Sequence, residues 1–352
     1  MTQPDKIKAR PFGNLPTGEA VQEYTLTNTR SLTLKVLTYG GIINELHVPD
    51  RRGVTADVVL GFNSLAGYLA PHPYFGAIVG RVAGRITQGR FSLDGRDYHL
   101  TINHPPHHLH GGAVGFDKRL WQAQVVTTAE NVPGLRLAYR SPHEEEGYPG
   151  NVDVAVTYSL NEANEVVIHY EAVTDQATPF SLTNHSFFNL AGEGNGTIEN
   201  HILQVGSVEI AQTDEQLTLL GKRVPVAGHA SDFNRPKRLG DALPLLSQNH
   251  GDLYLLPHTA RKLLKWAARV DEPASGRIME VFTTEECLQV YSGAYLDGSL
   301  VGKSGRPYGK FGGLALECEV YPDGANHPEM GNLILRPGET YQQTTIYRFT
   351  HT

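Results

Sequence analysis

Residues 152–160 read VDVAVTYSL, and this stretch decides the fold class. Every second residue, from Val152 to Leu160, is apolar, whereas Asp153, Thr157 and Ser159 between them are polar. A period of two is typical of a β-strand with one face on a core and the other toward water or a second layer. The same alternation occurs at 168–172 and at 32–37. The sequence therefore predicts a protein made mainly of strands.

Turn signals separate these predicted strands. A turn is predicted at 161–164, and Asp94-Gly95 predicts a two-residue hairpin between 91–93 and 96–98, because Asp-Gly tolerates the positive φ of a type I′ turn. Further turns are predicted at 49–53, 131–134 and 271–276. The 37 glycines and 21 prolines are spread along the whole chain, as a many-stranded fold requires.

Helix signals are confined to 64–69 and 242–246, and both are short. The sequence shows no internal repeat, no low-complexity block and no linker-like break. We therefore predict one all-β domain over residues 1–352, a large antiparallel β-sandwich, rather than two domains.

Composition excludes several classes of protein. With 40% hydrophobic and 19% charged residues, the chain can bury a core and is not globally disordered. A net charge of −7 argues against binding nucleic acid or a membrane surface, both of which need a basic face. No apolar run approaches the roughly 18 residues of a membrane span, and residues 1–18 lack a signal-peptide core. Cys287 and Cys318 alone cannot form a disulfide framework, so we expect a cytoplasmic globular protein.

The first segment that could carry chemistry is residues 103–112, NHPPHHLHGG. It holds four histidines in seven positions, yet Pro105 and Pro106 preclude the helical histidine pair of zinc proteases. No cysteine or clear carboxylate motif completes a site, so we predict no metal here. Two interpretations stay open: a polar loop of solvated histidines, or one histidine held beside Gly111-Gly112, where backbone can approach a ligand closely.

A second segment, residues 183–192, places His185 among two asparagines, a serine and two phenylalanines. Aromatic faces beside amide and hydroxyl groups suit a sugar ring, which presents apolar C–H surface and a rim of hydroxyls. The alternative is a buried histidine whose hydrogen bonds are satisfied by the neighbouring amides.

A third segment, residues 312–323, places two carboxylates in the apolar run GGLALECEVYPD. Charge in a core strand is costly unless it is paired or functional. In a strand, Glu317 and Glu319 would share a face about 7 Å apart, within the range of about 5 to 9.5 Å that glycosidases use. A solvated strand face is the alternative. The residues alone predict a β-rich enzyme or sugar-binding protein with a His/Glu site.

These segments, together with others from about Leu32 to Phe349, resemble those of the galactose mutarotase (aldose 1-epimerase) family. The matching stretches are GRVAGRI at 80–86, LHGG at 109–112, GFDK at 115–118, GYPGN at 147–151, TNH at 183–185, FNL at 188–190, QVYSG at 289–293, LE at 316–317, YPD at 321–323 and LRPGE at 335–339. Any one match is weak, but so many in order make chance similarity implausible.

The resemblance implies a large β-sandwich of the galactose mutarotase type (a supersandwich), no cofactor and no metal. It implies interconversion of the α and β anomers of aldohexoses such as galactose and glucose, with Glu317 as catalytic base and His185 as acid. The sugar would be bound by Arg85, His110, Asp232 and Gln289. The expected partner is this small molecule, rather than nucleic acid or a membrane, and the expected assembly is a monomer or a homodimer.

Several positions depart from the family pattern and leave sugar preference open. They are Gly84, Phe187, Asn234, Ala294 and Glu319, where the family more often has Asn, Tyr, Arg, Asn and Gln. Around Gly251-Asp252 the usual Asp-His-Asn pattern is also absent.

Anomer exchange needs a base at the C1 hydroxyl and an acid at the ring oxygen, acting together. Ordinary pKa values of about 4.3 for Glu and 6.5 for His predict a window in which Glu317 is ionised and His185 protonated. If Glu319 is ionised too, its repulsion should raise the pKa of Glu317. Three alternatives remain: a non-catalytic sugar-binding module, a glycoside hydrolase using both glutamates, and an enzyme for phosphorylated sugars served by the cations at 235–238.

Overall fold

Strands dominate the fold, as the alternating pattern predicts. The structure, a computed structural model, describes residues 7–246, 251–257 and 263–352. Residues 1–6, the beginning of the amino-terminal stretch considered above, lie outside the described residues.

Within the described residues the strands are β1 (Ile7–Asn14), β2 (Ala20–Thr27), β3 (Thr33–Leu37), β4 (Ile43–Pro49), β5 (Thr55–Asp57), β6 (Ile78–Val79), β7 (Arg85–Ile86), β8 (Arg90–Leu93), β9 (Arg96–His99), β10 (His108–Leu109), β11 (Gln122–Thr127), β12 (Pro133–Ser141), β13 (Val152–Leu160), β14 (Glu165–Thr174), β15 (Thr178–Pro179), β16 (Thr183–Asn184), β17 (Phe187–Phe188), β18 (Ile202–Val205), β19 (Glu209–Thr213), β20 (Leu219–Pro225), β21 (Lys237–Arg238), β22 (Asp252–Leu255), β23 (Lys265–Asp271), β24 (Arg277–Thr283), β25 (Cys287–Tyr291), β26 (Leu314–Glu319), β27 (Ile334–Leu335) and β28 (Tyr341–His351). The helices are α1 (Leu65–Leu69) and α2 (Leu239–Ala242), and single 3₁₀ turns occur at Thr87–Gly89, Phe116–Lys118, Glu145–Gly147, Ile198–Asn200 and Leu243–Leu245.

Three large sheets organise the described part of the chain, and all neighbouring strands in them are antiparallel. One contains five strands in the order β1-β2-β3-β4-β5. A second contains nine in the order β11-β12-β13-β14-β28-β24-β23-β18-β21, and a third contains six in the order β17-β26-β25-β22-β19-β20. Two-stranded pairs, including β7 with β10 and β6 with β16, connect them. The six-stranded sheet carries the site.

Strand β13 shows why the alternation produces this layering. Val152, Val156 and Tyr158 are fully buried, whereas Asp153 on the opposite face is exposed. The turn at 161–164 is closed by the Asn161 side chain, whose Oδ1 accepts hydrogen bonds from two backbone N–H groups beyond it. One core cluster contains residues of all three large sheets, among them Leu34, Val156 and Leu316. The predicted all-β sandwich is confirmed.

The predicted turns and helices are mostly where the sequence places them. Asp94 and Gly95 both have positive φ (51° and 76°), as a type I′ hairpin between β8 and β9 requires. The helix predicted at 64–69 is α1, but the second begins three residues earlier than predicted, at Leu239. The turn predicted at 131–134 ends early, because β12 already begins at Pro133. None of the helices within the described residues has the length and apolarity that crossing a bilayer requires.

Candidate active site

A cavity of about 490 Å³ lies over one face of the six-stranded sheet. Its floor crosses neighbouring strands: Glu317 and Glu319 come from β26, Gln289 from β25, and Leu253 from β22. The floor is therefore polar at the β26 side and apolar toward β22. A larger open groove of about 620 Å³ lies on the nine-stranded sheet, but no histidine is among its described lining residues.

Strand β26 turns its two carboxyl groups toward the cavity. Leu316 and Cys318, which alternate with them, belong to the main hydrophobic core instead. Both glutamates share the cavity face, as the period of two predicts. They are 2% and 1% exposed, so the interpretation of a solvated strand face is wrong.

His185 meets Glu317 across the cavity, with His185 Nε2 3.5 Å from Glu317 Oε1. Its backbone holds it there, because its N–H donates to the Ala77 carbonyl and its own carbonyl accepts from the Gly76 N–H. The neighbouring amide does not satisfy its ring: Asn184 Nδ2 donates to the Gly76 carbonyl instead. His185 Nδ1 is buried without a hydrogen-bond partner among the described residues. The interpretation of a histidine satisfied by neighbouring amides is therefore wrong.

His110 approaches the same point from the other side of the cavity. Its Nδ1 accepts a hydrogen bond of 3.1 Å from the Gly84 N–H, so in the neutral ring the proton lies on Nε2. The pairing of β7 with β10, which sets Leu109 opposite Arg85, brings His110 and Arg85 to one corner. This arrangement matches the interpretation of one histidine held beside a glycine corner.

Aromatic rings enclose the two histidines. The centroid of Tyr74 lies 4.8 Å from that of His110 and 5.7 Å from that of His185. Phe187 packs against His185 at 5.1 Å. Sequence reasoning missed Tyr74; its positive φ of 57° follows from a turn that no alternation pattern signals.

Burial reverses the protonation that ordinary pKa values suggest. It raises the pKa of Glu317 to about 8, although the Arg85 guanidinium acts against this shift. It lowers the pKa of His185 to about 4, and it also lowers the pKa of His110 well below its usual value. Both shifts oppose the expected window of ionised Glu317 and protonated His185, because each favours the neutral form of its side chain.

The second carboxyl also differs from expectation. Burial and the neighbouring carboxyl of Glu317 raise the pKa of Glu319 well above its usual value. The repulsion therefore contributes to the raised pKa of Glu319, whereas burial is the cause of the raised pKa of Glu317. A glycoside hydrolase would need the carboxyl of either Glu317 or Glu319 to be ionised at neutral pH, as nucleophile or base. The raised pKa values of both carboxyls oppose that function.

Five of the six predicted site residues line the cavity: Arg85, His110, His185, Gln289 and Glu317. Asp232 is not among the lining residues. Its carboxylate accepts hydrogen bonds from the backbone and side-chain amides of Asn234, two residues on, which close a turn around it. An aspartate that does line the cavity is Asp252, at the start of β22, and its carboxylate accepts a hydrogen bond of 2.6 Å from Ser231 Oγ. A carboxylate heading the apolar run 253–256 was the signal that could have identified it.

Histidines 107 and 108 support the loop rather than face solvent. Both nitrogens of His108 are engaged, with the Thr101 carbonyl and the Tyr148 hydroxyl, each at 2.7 Å. His107 is likewise held by Gln88 and by the Gln216 carbonyl. The interpretation of solvated histidines is therefore wrong for these two, and neither ring has a nitrogen left for a metal. His104 lines the cavity.

Two sets of described residues bring potential metal ligands together. Donor atoms of His110, His185 and Glu317 lie within 4.8 Å of one another, but the Arg85 guanidinium beside Glu317 favours a neutral polar ligand over a metal cation. The other set, Glu45, His47 and Asp57, lies outside the cavity, and Lys35 and Lys303 already pair with its carboxylates.

The cations suggested for a phosphorylated sugar are absent from the cavity lining. Lys237 donates to the Ala230 carbonyl and lies over the Phe233 ring. Arg238 donates to Asn200 and Asp241. The stretch 235–238 therefore gives no support to a phosphate site.

Comparisons with known proteins identify the family. The family described as aldose 1-epimerase matches residues 22–348. Galactose mutarotases from Rattus norvegicus and Homo sapiens are 44% and 43% identical, each match covering 96% of this chain and 97% of the relative. An aldose 1-epimerase from Escherichia coli is 32% identical over 95% of this chain and 96% of its own length.

Solved structures show the same fold. A GalM/aldose epimerase homologue from C. elegans superposes with a TM-score of 0.85 at 28% identity, over 93% of this chain and 98% of that one. A galactose 1-epimerase from Lactobacillus acidophilus superposes with a TM-score of 0.83 at 25% identity, over 98% and 99% of the two chains.

Proposed function

The chain belongs to the aldose 1-epimerase family and is an aldose mutarotase, and we propose that Glu317 and His185 perform its acid–base chemistry. The observation that carries this assignment is the 3.5 Å approach of the two side chains inside a cavity of sugar-binding character. The substrates we assign are aldohexoses such as galactose and glucose.

Ring opening moves two protons in opposite directions. Glu317, as carboxylate, takes the proton from O1–H, and His185, as imidazolium, gives one to the ring oxygen while the C1–O5 bond breaks. The products are a free aldehyde, a protonated Glu317 and a neutral His185. Rotation about C1–C2 and the reverse transfers then close the ring on the other face, so neither charged intermediate of the uncatalysed reaction is needed.

The directions of the two pKa shifts are compatible with this cycle. Glu317 protonated with His185 neutral is the arrangement that follows ring opening, and it carries the same single proton as the ion pair that begins it. The proton can shift between the two groups without a change in net charge. A sugar whose O1 and O5 hydrogen-bond to the charged forms favours the ion pair.

The remaining lining residues would hold the sugar in place. His110 has its ring proton on Nε2 and its Nδ1 fixed by Gly84, so it acts as a neutral donor. Arg85 supplies positive charge where oxygen becomes negative, and Gln289, opposite Glu317 in the sheet, can bond a ring hydroxyl. Asp252 takes the acceptor role first assigned to Asp232.

Polarimetry on freshly dissolved α-galactose and α-glucose tests the proposal. We expect the wild-type protein to accelerate the approach to anomeric equilibrium and a Glu317→Gln variant to lose that acceleration. A wild-type rate equal to that of buffer would contradict it, and sugar binding without acceleration would indicate the non-catalytic module instead.

A further inference from the structure

Glu319 is a buried carboxyl group in the cavity that the acid–base chemistry does not use. Its side chain is 1% exposed, it lines the cavity, and its Oε2 has no hydrogen-bond partner among the described residues. Leaving a buried polar atom unpaired costs about 1–3 kcal/mol. Such a cost is offset when a ligand supplies the missing partner.

The strand geometry places this carboxyl beside the same sugar that Glu317 contacts. Glu319 lies two residues beyond Glu317 on one face of β26, which separates their backbones by about 7 Å. That separation is comparable to the distance across a pyranose ring. With O1 at Glu317, a hydroxyl on another ring carbon would lie within reach of Glu319.

Gly84 lies beside the carboxyl at one wall of the cavity. Its φ is +77°, and a Cβ at this position would lie 2.4 Å from Pro322 Cγ and 3.4 Å from Glu319 Oε1. Because Gly84 has no side chain, its backbone packs closely against Pro322 and Glu319 at this wall of the cavity. The Glu319 carboxyl is therefore fixed at the cavity wall rather than in open solvent.

The charges around Glu319 decide which form it takes. The groups acting on it are Glu317 on the same strand, Glu285 and the Arg85 guanidinium. Burial and the two carboxyls outweigh the guanidinium and raise the pKa of Glu319 well above its usual value. A protonated carboxyl is one donor and one acceptor, which matches a sugar hydroxyl on both counts.

We propose that Glu319 is a second sugar-contacting carboxyl, which exchanges hydrogen bonds with a ring hydroxyl away from C1 and so helps determine which aldoses are accepted. This assignment rests on the proposed function for the identity of the ligand. It goes beyond that function because Glu319 contributes to binding and specificity and takes no part in proton transfer at C1.

Polarimetric kinetics at pH 7 with Glu319→Ala and Glu319→Gln test the contact. Removing the carboxyl should raise KM about tenfold, the cost of one lost hydrogen bond, and should change kcat much less. Glutamine retains one donor and one acceptor, so it should return KM to within about threefold of the wild-type value. An alanine variant that folds, as judged by circular dichroism, and keeps the wild-type KM would overturn the proposal.

Deoxy sugars separate a contact from a general packing effect. The wild-type protein should lose affinity for the one deoxyaldose that lacks the contacted hydroxyl, and the alanine variant should bind that sugar and the parent sugar equally. If every deoxy sugar weakens binding by the same factor in both proteins, Glu319 touches no hydroxyl and the proposal fails.

Calorimetric titration of sugar into proteins carrying Glu317→Gln removes turnover from the measurement. In this background, Glu319→Ala should still weaken binding about tenfold. If the wild-type protein does not accelerate mutarotation while this loss of affinity persists, the proposed function is wrong and the Glu319 contact stands. If activity is present and affinity is indifferent to Glu319, the contact is wrong and the function stands.

Discussion

The acid–base chemistry that we propose for Glu317 and His185 depends on one shared proton. Both side chains are buried, and burial favours the neutral form of each, an acid with a raised pKa beside a histidine with a lowered one. Their macroscopic titrations belong to the pair rather than to either residue. Activity therefore follows the number of protons that the pair carries.

The pH dependence of kcat/KM should follow from this count. We expect a plateau between about 4 and about 8, where the pair holds one proton. Below the lower value His185 is protonated as well, and the pair lacks a base. Above the upper value Glu317 loses the proton, and the pair lacks an acid. Polarimetry across pH 3.5–9.5 measures the profile, and an alkaline limit near 6.5 would mean that His185 titrates with an ordinary pKa.

Replacing Glu317 by glutamine should abolish turnover without unfolding the protein. The amide has nearly the same shape but cannot accept the O1 proton, so kcat should fall by on the order of 10²-fold or more. Polarimetry gives the rate and circular dichroism the fold. A kcat within a few-fold of wild type would show that another group is the base.

The same variant should be more stable than wild type in alkali. The folded-state pKa of Glu317 is raised from 4.5 to about 8, so its contribution to stability is complete below 4.5 and is lost as pH rises through 8. Glutamine does not ionise, so above pH 8 we expect the free energy of unfolding of the variant to exceed that of the wild type by an amount on the order of a few kcal/mol. Urea unfolding at pH 4.5 and pH 9 measures it. Glu171→Gln, at a half-exposed position on β14, is the control and should show little difference.

At the scale of elements, the long strands were predictable and the short ones were not. Strand β13 and the hairpin around Asp94-Gly95 lie where alternation and turn chemistry put them. Two-residue strands such as β7, β10 and β16 are too short to show a period, yet they position Arg85, His110 and His185. The residues alone indicated His185 and a histidine beside Gly111-Gly112, whereas only the resemblance to a family indicated Arg85.

The acidic residue of the cavity shows a different limit. Asp232 and Asp252 lie twenty residues apart, and only Asp252 heads an apolar run, at 253–256, a signal that the resemblance to the family did not use. Asn234 closes a turn on Asp232, whereas Asp252 is among the residues that line the cavity. Only the three-dimensional structure decides between them.

The corner that holds His110 depends on Gly84. A Cβ there would meet Pro322 at 2.4 Å in addition to the strain of φ +77°. Gly95→Ala is a matched control, because its φ is +76° and nothing lies within 4 Å. We expect Gly84→Ala to lower the free energy of unfolding by about 1–3 kcal/mol more than the control does, which is the typical cost of overpacking. It should also raise KM, because the Gly84 N–H positions His110. If urea unfolding shows the same loss of stability for both variants, the residues around Gly84 accommodate the added methyl group without cost.

At the scale of the whole molecule, the sheets share one interior. The main core cluster contains residues from the five-, six- and nine-stranded sheets, among them Val36, Leu288 and Val281. Arg277, buried on β24, donates to the carbonyls of Val48 and Leu190, and so joins segments far apart in the chain. This continuity supports the prediction of a single domain over residues 1–352.

Thermal unfolding should therefore be one cooperative transition. In differential scanning calorimetry we expect the calorimetric and van't Hoff enthalpies to agree, as they do for a two-state domain. Two resolved heat-absorption peaks, or an amino-terminal sheet that melts first by hydrogen exchange, would contradict the single-domain prediction.

Strand β26 serves two purposes at once, because Leu316 and Cys318 pack in the hydrophobic core while Glu317 and Glu319 face the cavity. A shift of its pairing by one residue would exchange the two faces of the strand. The two glutamates would then enter the hydrophobic core, and Leu316 and Cys318 would line the cavity. A molecule with this register error should have no activity rather than reduced activity. After dilution from denaturant, the mutarotase activity that returns, measured by polarimetry, should therefore report the fraction of molecules in which β26 has paired in the native register.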